Sequence, residues 1–149
     1  MGSIKGKIQF VIVLLDTNVI VDIALERQPY FETSQQILLL VEQERIEGCI
    51  SASTVSDLYY IIRKARGQEW TLDFLNWLVA YCHIATVNEE AIQIALTTNF
   101  RDLEDAIQYA TAVINHLDAI VTRNLEDFPV ATPRILTPRQ LMAEVTNSL

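Results

Sequence analysis

An α/β fold with a mainly parallel sheet of four to five strands is predicted by three features of this sequence. The run Phe10-Val11-Ile12-Val13-Leu14-Leu15 is continuous, apolar and rich in β-branched residues, as a strand buried on both faces requires. Short runs of the same character recur along the chain, separated by longer stretches with apolar residues at helical spacing. Strands alternating with helices call for right-handed crossovers, and so for helices on both faces of the sheet.

The first strand is expected over about residues 8–15. A helix follows from Thr17 towards Glu26 and is broken at Arg27-Gln28-Pro29, because Pro cannot continue it. From about Phe31 to Glu47, Ile37, Leu38, Leu40 and Val41 form a helical stripe, and Gly48 is the expected stop. Cys49-Ile50-Ser51 reads as a second strand. Ser51 or Ser53 then caps a helix reaching about Lys64, with Val55, Leu58, Tyr59 and Ile62 inward. Arg66-Gly67 stops it, and Trp70 to Tyr81 makes another amphipathic helix. Ile84 to Val87 is the third strand, and Asn88 caps a helix to about Thr98.

Asp102 to His116 carries the clearest helical period, with Leu103, Ile107, Ala110, Ile114 and Leu117 on its expected core face. Ala119-Ile120-Val121 is the fourth strand, and Val130 to Leu136 a weaker fifth. Pro138 suits the first turn of a last helix to about Val145. The aromatics Phe10, Tyr59, Phe74 and Trp77 fall on apolar faces and are expected in the core. Leu38, Leu39 and Val41, with the outer side of the helix at 72–80, serve either as core or as apolar surface for a partner.

With 149 residues, half of them apolar, the chain can bury one substantial core. One domain over 1–149 is expected, with its core at about 8–136 and a C-terminal helix at 137–149. No apolar run is long enough to span a bilayer. The basic opening, Met1 to Lys7, lacks a following signal region because Asp16 and Asn18 interrupt the apolar run, so a soluble, cytoplasmic protein is expected. The two cysteines, Cys49 and Cys82, fall in expected strands. With His83 and His116 the only histidines, a zinc site of nitrogen and sulfur ligands is disfavoured. A net charge of −8 argues against a broad electrostatic nucleic-acid platform. It is compatible with a nuclease whose carboxylates are neutralised by bound cations.

The acids carry the chemistry. Asp16 directly follows the first strand, at the sheet edge where open α/β sheets bind ligands. By itself it would read as a helix cap. Asp57, Asp105 and Asp127 also lie just past strands or early in helices, and parallel crossovers bring those positions to one edge. Hard oxygen ligands so gathered suit Mg2+ or Mn2+, and hence phosphate chemistry.

These residues stand in Leu15-Asp16-Thr17-Asn18-Val19, Ser51-Ala52-Ser53-Thr54-Val55-Ser56-Asp57, Asp102-Leu103-Glu104-Asp105-Ala106 and Val121-Thr122-Arg123-Asn124-Leu125-Glu126-Asp127-Phe128. In that order and on that strand pattern, the chain from about Ile8 to Leu136 resembles the PIN domain family of metal-dependent ribonucleases. Many members are toxin halves of bacterial toxin–antitoxin pairs of the VapC type. The resemblance implies a PIN-like three-layer α/β/α sandwich and an endoribonuclease using water and Mg2+ or Mn2+. It also implies an RNA substrate, a cognate antitoxin and a homodimer. Asp16, Asp57, Asp105 and Asp127 become the catalytic, metal-holding quartet. Asp16, Asp105 and Asp127 would hold one ion, and Asp57, where many members have Glu, would orient a second.

Asn18, Thr122 and Asn124 are candidates to hold a carboxylate or water without adding charge, and Arg123 is a candidate substrate contact. Arg63, Lys64 and Arg66 are the densest basic cluster, although cations at a helix end need no function. Asp102, Glu104 and Glu126 read as helix-start acids. Glu104 lies about 100° around the helix from Asp105 and is expected to point elsewhere. Two alternatives remain: a catalytically inactive PIN-like module binding RNA or protein, or another Mg-dependent phosphoryl-transfer domain. Asp16-Thr17-Asn18 lacks the Asp-x-Asp pattern of haloacid-dehalogenase-like phosphatases, and neither the paired acids nor the lysine of a receiver is evident.

Overall fold

A computed structural model describes residues 11–147. Among these residues five parallel strands form one sheet: β1 (Ile12–Leu15), β2 (Glu47–Ser51), β3 (His83–Ala85), β4 (Ala119–Val121) and β5 (Arg134–Leu136). Their spatial order is β3-β2-β1-β4-β5. Among the described residues, seven α-helices connect and cover them: α1 (Thr17–Ala24), α2 (Phe31–Glu42), α3 (Val55–Arg66), α4 (Gln68–Tyr81), α5 (Glu89–Thr97), α6 (Leu103–Ile114) and α7 (Pro138–Asn147). No helix among the described residues is long and apolar enough to cross a membrane.

The central strands β1, β2 and β4 are mostly buried, whereas the edge strands β3 and β5 expose His83, Ile84 and Arg134. Val13 and Leu15 face the larger cluster, with Val19 and Ile20 of α1, Ile37 of α2, Leu58 of α3, Leu78 of α4 and Leu141 of α7. Leu14, Cys49 and Ile120 face the opposite cluster, with Ala112 of α6 and Phe128. On that side α5 packs on α6 through Ala91, Ala95, Ala106 and Ala110. Small residues there let the helices approach closely. The result is the three-layer α/β/α arrangement, with the sheet in the middle.

The helix stops differ from expectation in an instructive way. α2 ends at Glu42, and Gly48 lies inside β2. The turn is made by Glu44 at φ 61°, with the Arg45 N–H bonding the Leu40 carbonyl at 2.9 Å. α1 and α6 end in the same way, at Glu26 (φ 52°) and His116 (φ 56°), each followed by a six-to-one backbone bond. Three non-glycine residues thus occupy the left-handed cap position that glycine usually fills. Gly48 has another role: a Cβ there would lie 2.9 Å from Val41 Cγ2 and 3.3 Å from Cys82 Sγ, so its lack of a side chain lets α2 sit on the sheet.

Other positions move in register or exposure. The third strand covers His83–Ala85, not 84–87, and the fifth only Arg134–Leu136. Cys82 is the buried C-cap residue of α4, not a strand residue. Leu103 is 54% exposed, and α6 buries Ala106, Gln108, Ala110 and Thr111 instead, because its inward stripe is rotated towards the sheet edge. Leu38 and Val41 are core, whereas Leu39 is on the surface. Trp77 is exposed, in a ladder of neighbouring rings with Trp70, Phe74 and Tyr81 along α4. Phe10 and the expected strand residues 8–10 lie outside the described residues.

Gly48→Ala should destabilise the protein by about 1–3 kcal/mol, since β-branched Val41 has little rotamer freedom to retreat. Urea unfolding checks this, and adding Val41→Ala should recover part of the loss.

Candidate functional site

The sheet changes direction between β1 and β4: the chain moves outward from β1 through β2 to β3, then returns to the other side of β1. Crevices form at such a switch point, beyond the C-terminal strand ends. Asp16 follows β1 there and caps α1.

Asp16 is buried, and both oxygens of its carboxylate accept hydrogen bonds. Oδ1 accepts from the Thr17 N–H at 2.7 Å and from Gln108 Nε2 at 2.8 Å. Oδ2 accepts from Thr122 Oγ1 at 2.7 Å. Thr122 Oγ1 in turn accepts from the Asn124 N–H at 3.1 Å, which aims its own proton at Asp16. Thr122 thus bonds Asp16 through its hydroxyl, and Asn124 contributes through its backbone. Burial raises the Asp16 pKa, and the three donors oppose that rise.

A cavity of 280 Å³ opens over this carboxylate. Its walls include Asp16 and Asn18, Asp105 and Gln108 of α6, and Asp127 on a 3-10 turn (Leu125–Asp127) after β4. Asp102 and Glu104 line it as well. Asp102 caps α6, its Oδ1 accepting from the Glu104 N–H at 2.8 Å. Glu104 thus faces the site, contrary to expectation: a Glu side chain in the first turn of α6 is long enough to lean over to α3. There it shares a hydrogen bond with Asp57, which, with burial and the Asp57 charge, lifts its pKa to about 7. Asp57, in the first turn of α3, is not itself part of the cavity wall. Glu126 also lies off that wall.

Asp105 is held at about 7, first by burial and then by the charges of Asp16, Asp102, Asp127 and Glu104. Like charges crowd one cavity, with Arg27 the only cation among its lining residues. Among the described residues, no three His, Cys, Asp or Glu are gathered tightly enough to hold an ion as they stand. Two buried oxygens, Asn18 Oδ1 and Gln108 Oε1, have no hydrogen-bond partner in the same structure. Both residues line the cavity, so it offers neutral hard donors beside the carboxylates.

Two elements were missed from sequence. Gln108 reads as a polar residue on a helix flank, yet it is buried against Asp16. Asp22 is 0% exposed inside the apolar Val19–Ala24 run, and an acid in such a run was the available signal. Arg123 Nε pairs with Asp22 Oδ2 at 3.0 Å, and Arg27 approaches Asp22 Oδ1 at 3.9 Å. Burial raises the Asp22 pKa, and these two cations oppose the rise. Arg66 is tied to Glu26 and the Ala24 carbonyl and stacks on Trp70.

Comparison with known proteins is consistent with this geometry. A family model described as a PIN domain matches residues 12–126. Ribonuclease VapC1 of Aquifex aeolicus (strain VF5) is 28% identical over 105 residues, 67% of this chain and 72% of that protein. Among solved structures, a toxin-antitoxin complex from Klebsiella pneumoniae superposes with a TM-score of 0.65 at 24% identity, over 85% of this chain and 97% of that one. VapBC2 from Rickettsia felis, bound to a DNA fragment from its promoter, gives 0.63 at 18% identity, over 85% and 97%. At those identities the structures speak for the fold alone, while the family match spans most of the chain, its β1–β4 strands and its acids up to Glu126. This chain belongs to the PIN domain family.

Proposed function

We propose that the chain is an endoribonuclease dependent on Mg2+ or Mn2+, hydrolysing RNA phosphodiester bonds by attack of water, and that it is the toxin of a toxin–antitoxin pair. One observation carries the reading: Asp16, Asp105 and Asp127, distant in sequence, line one cavity at the switch point of the sheet. The relatives' own names, a ribonuclease and toxin–antitoxin complexes, support it.

The donor set fits such a cation. Carboxylates and amide oxygens are the ligands Mg2+ and Mn2+ prefer. Asp16, Asp105 and Asp127 would hold it, with the unpaired Asn18 oxygen beside them. When bound, the ion supplies Lewis acidity that shields charge on the phosphoryl and leaving oxygens. Thr17, Gln108 and Thr122 fix the orientation of the Asp16 carboxylate before any ligand arrives, so little reorganisation is needed at the moment of reaction. Glu104 takes the wall position beside Asp105, and Asp57 acts through it, positioning its carboxyl group.

An antitoxin would cover the exposed apolar side of α2 and α4, where Leu39, Phe74 and Trp77 border a groove of 190 Å³. Leu96, Leu103 and Val113, exposed on α5 and α6, suit contact with a second copy. A cytoplasmic location is part of this reading.

Single-stranded RNA should be cleaved with Mn2+ or Mg2+ and not with EDTA, and Asp16→Asn should lower the rate by about 10²-fold or more. Metal binding without any cleavage by the wild type would leave only a binding module.

Asp57→Asn and Glu104→Gln should each reduce Mn2+ affinity or activity by about 10–100-fold. The double variant should be little worse than either, since both act on one hydrogen-bonded pair.

Because Asp105 and Glu104 sit at about 7, the folded protein retains protons that the unfolded chain releases near 4. Without cation, stability should therefore fall as pH rises through that window. Unfolding in EDTA at several pH values tests the slope, which Asp105→Asn or saturating Mn2+ should flatten.

A further inference from the structure

A second cavity, of 260 Å³, lies beside the acidic one, lined by Tyr30, Thr33, Ser34, Arg123, Thr137 and Arg139 together with two prolines. Its character is the reverse of its neighbour's. It has two arginines and no acid, in a chain of net charge −8. The Arg123 guanidinium carbon sits 4.4 Å from the centroid of the Tyr30 ring. Arg123 is held there by the buried Asp22, so the stack is set in place before any ligand binds. Thr33 and Thr137 add hydroxyls to the wall. The volume falls just below the roughly 300–1,000 Å³ of whole small-molecule sites, a size for one flat fragment.

The two cavities share a buried neighbour, Asp22. Arg27 of the acidic cavity and Arg123 of this one converge on the two oxygens of Asp22. A strand whose phosphate lies at the acids would bring a neighbouring nucleotide to this place. Aromatic and guanidinium planes bind unpaired bases by stacking, and arginines bind the attached phosphate.

Building on the ribonuclease reading, we propose that this cavity is a nucleotide subsite, taking one unpaired base of the RNA on the Tyr30–Arg123 stack with its phosphate towards Arg139. It gives an acidic protein a local hold on its substrate without a broad basic face, and its hydroxyls provide a means of base selection.

The test uses the full chain, a fluorescently labelled single-stranded RNA, and two variants away from the acids: Arg139→Glu and Thr33→Trp, the latter filling the cavity. Each should raise KM about ten-fold with kcat unchanged, the loss expected of one stacked base and its phosphate. In an Asp16→Asn background, the same substitutions should weaken RNA binding by a similar factor. Thermal melting establishes that each variant is folded. Wild-type KM and RNA affinity in both variants, or a loss confined to kcat, would overturn the subsite while leaving the nuclease intact. A wild type that binds RNA without cleaving it removes the nuclease reading alone, because the binding measurements still decide the subsite. Should it neither bind nor cleave RNA, both readings fall together.

Discussion

The buried carboxylate of Asp16 is the constraint on which the rest of the site depends. Its donors come from three places: the start of α1, the inner face of α6 and the end of β4. Those are also the segments that carry, or lead to, Asp105, Glu104 and Asp127. One ionisable group therefore fixes the relative position of elements about a hundred residues apart in sequence. Leaving any of its donors unmade would strand a buried polar atom, at about 1–3 kcal/mol each, so the arrangement is strongly specified.

Around that anchor the charges are segregated. Acids crowd one cavity: burial, then the neighbouring charges, lifts Asp105 to about 7, and the Asp57 hydrogen bond, then burial and the nearby acids, lifts Glu104 to about 7. A purely structural protein has little reason to bear such crowding, whereas a site that captures cations is poised by it. Arginines collect in the adjoining cavity, with buried Asp22 as the shared counterion. A buried acid thus lies between one arginine of each cavity wall. It also makes Arg123 a fixed feature of the wall instead of a mobile surface side chain.

Local rules made most of the elements legible. Apolar runs located the five strands of the described residues in order, and Asn88 and Asp102 cap α5 and α6 as their side-chain chemistry suggested, whereas Ser51 caps a 3-10 turn (Ala52–Thr54) ahead of α3. Where reading failed, tertiary packing had overridden a local signal. Gly48 looks like a helix stop, but α2 already turns at Glu44, and the glycine is spent on close approach to Val41. Leu103 fits the apolar period of α6, yet the helix is rotated so that Gln108 can reach Asp16. The helical angle between Glu104 and Asp105 sent Glu104 away from the site. Its contact with Asp57 depends on α3 standing alongside, which spacing along one helix does not encode.

By itself, then, the sequence determined the α/β class, the parallel strand order along the chain and the acids that gather at the sheet edge. All three follow from periodicity and from the handedness of crossovers, which are local or nearly universal. Only the tertiary structure decided which of those acids share a wall, that Gln108 and Thr122 hold Asp16, and that Asp22 binds two arginines between two unlike cavities. Those outcomes turn on the rotation of packed helices and the reach of particular side chains. Such quantities are set by contacts between segments far apart in the chain.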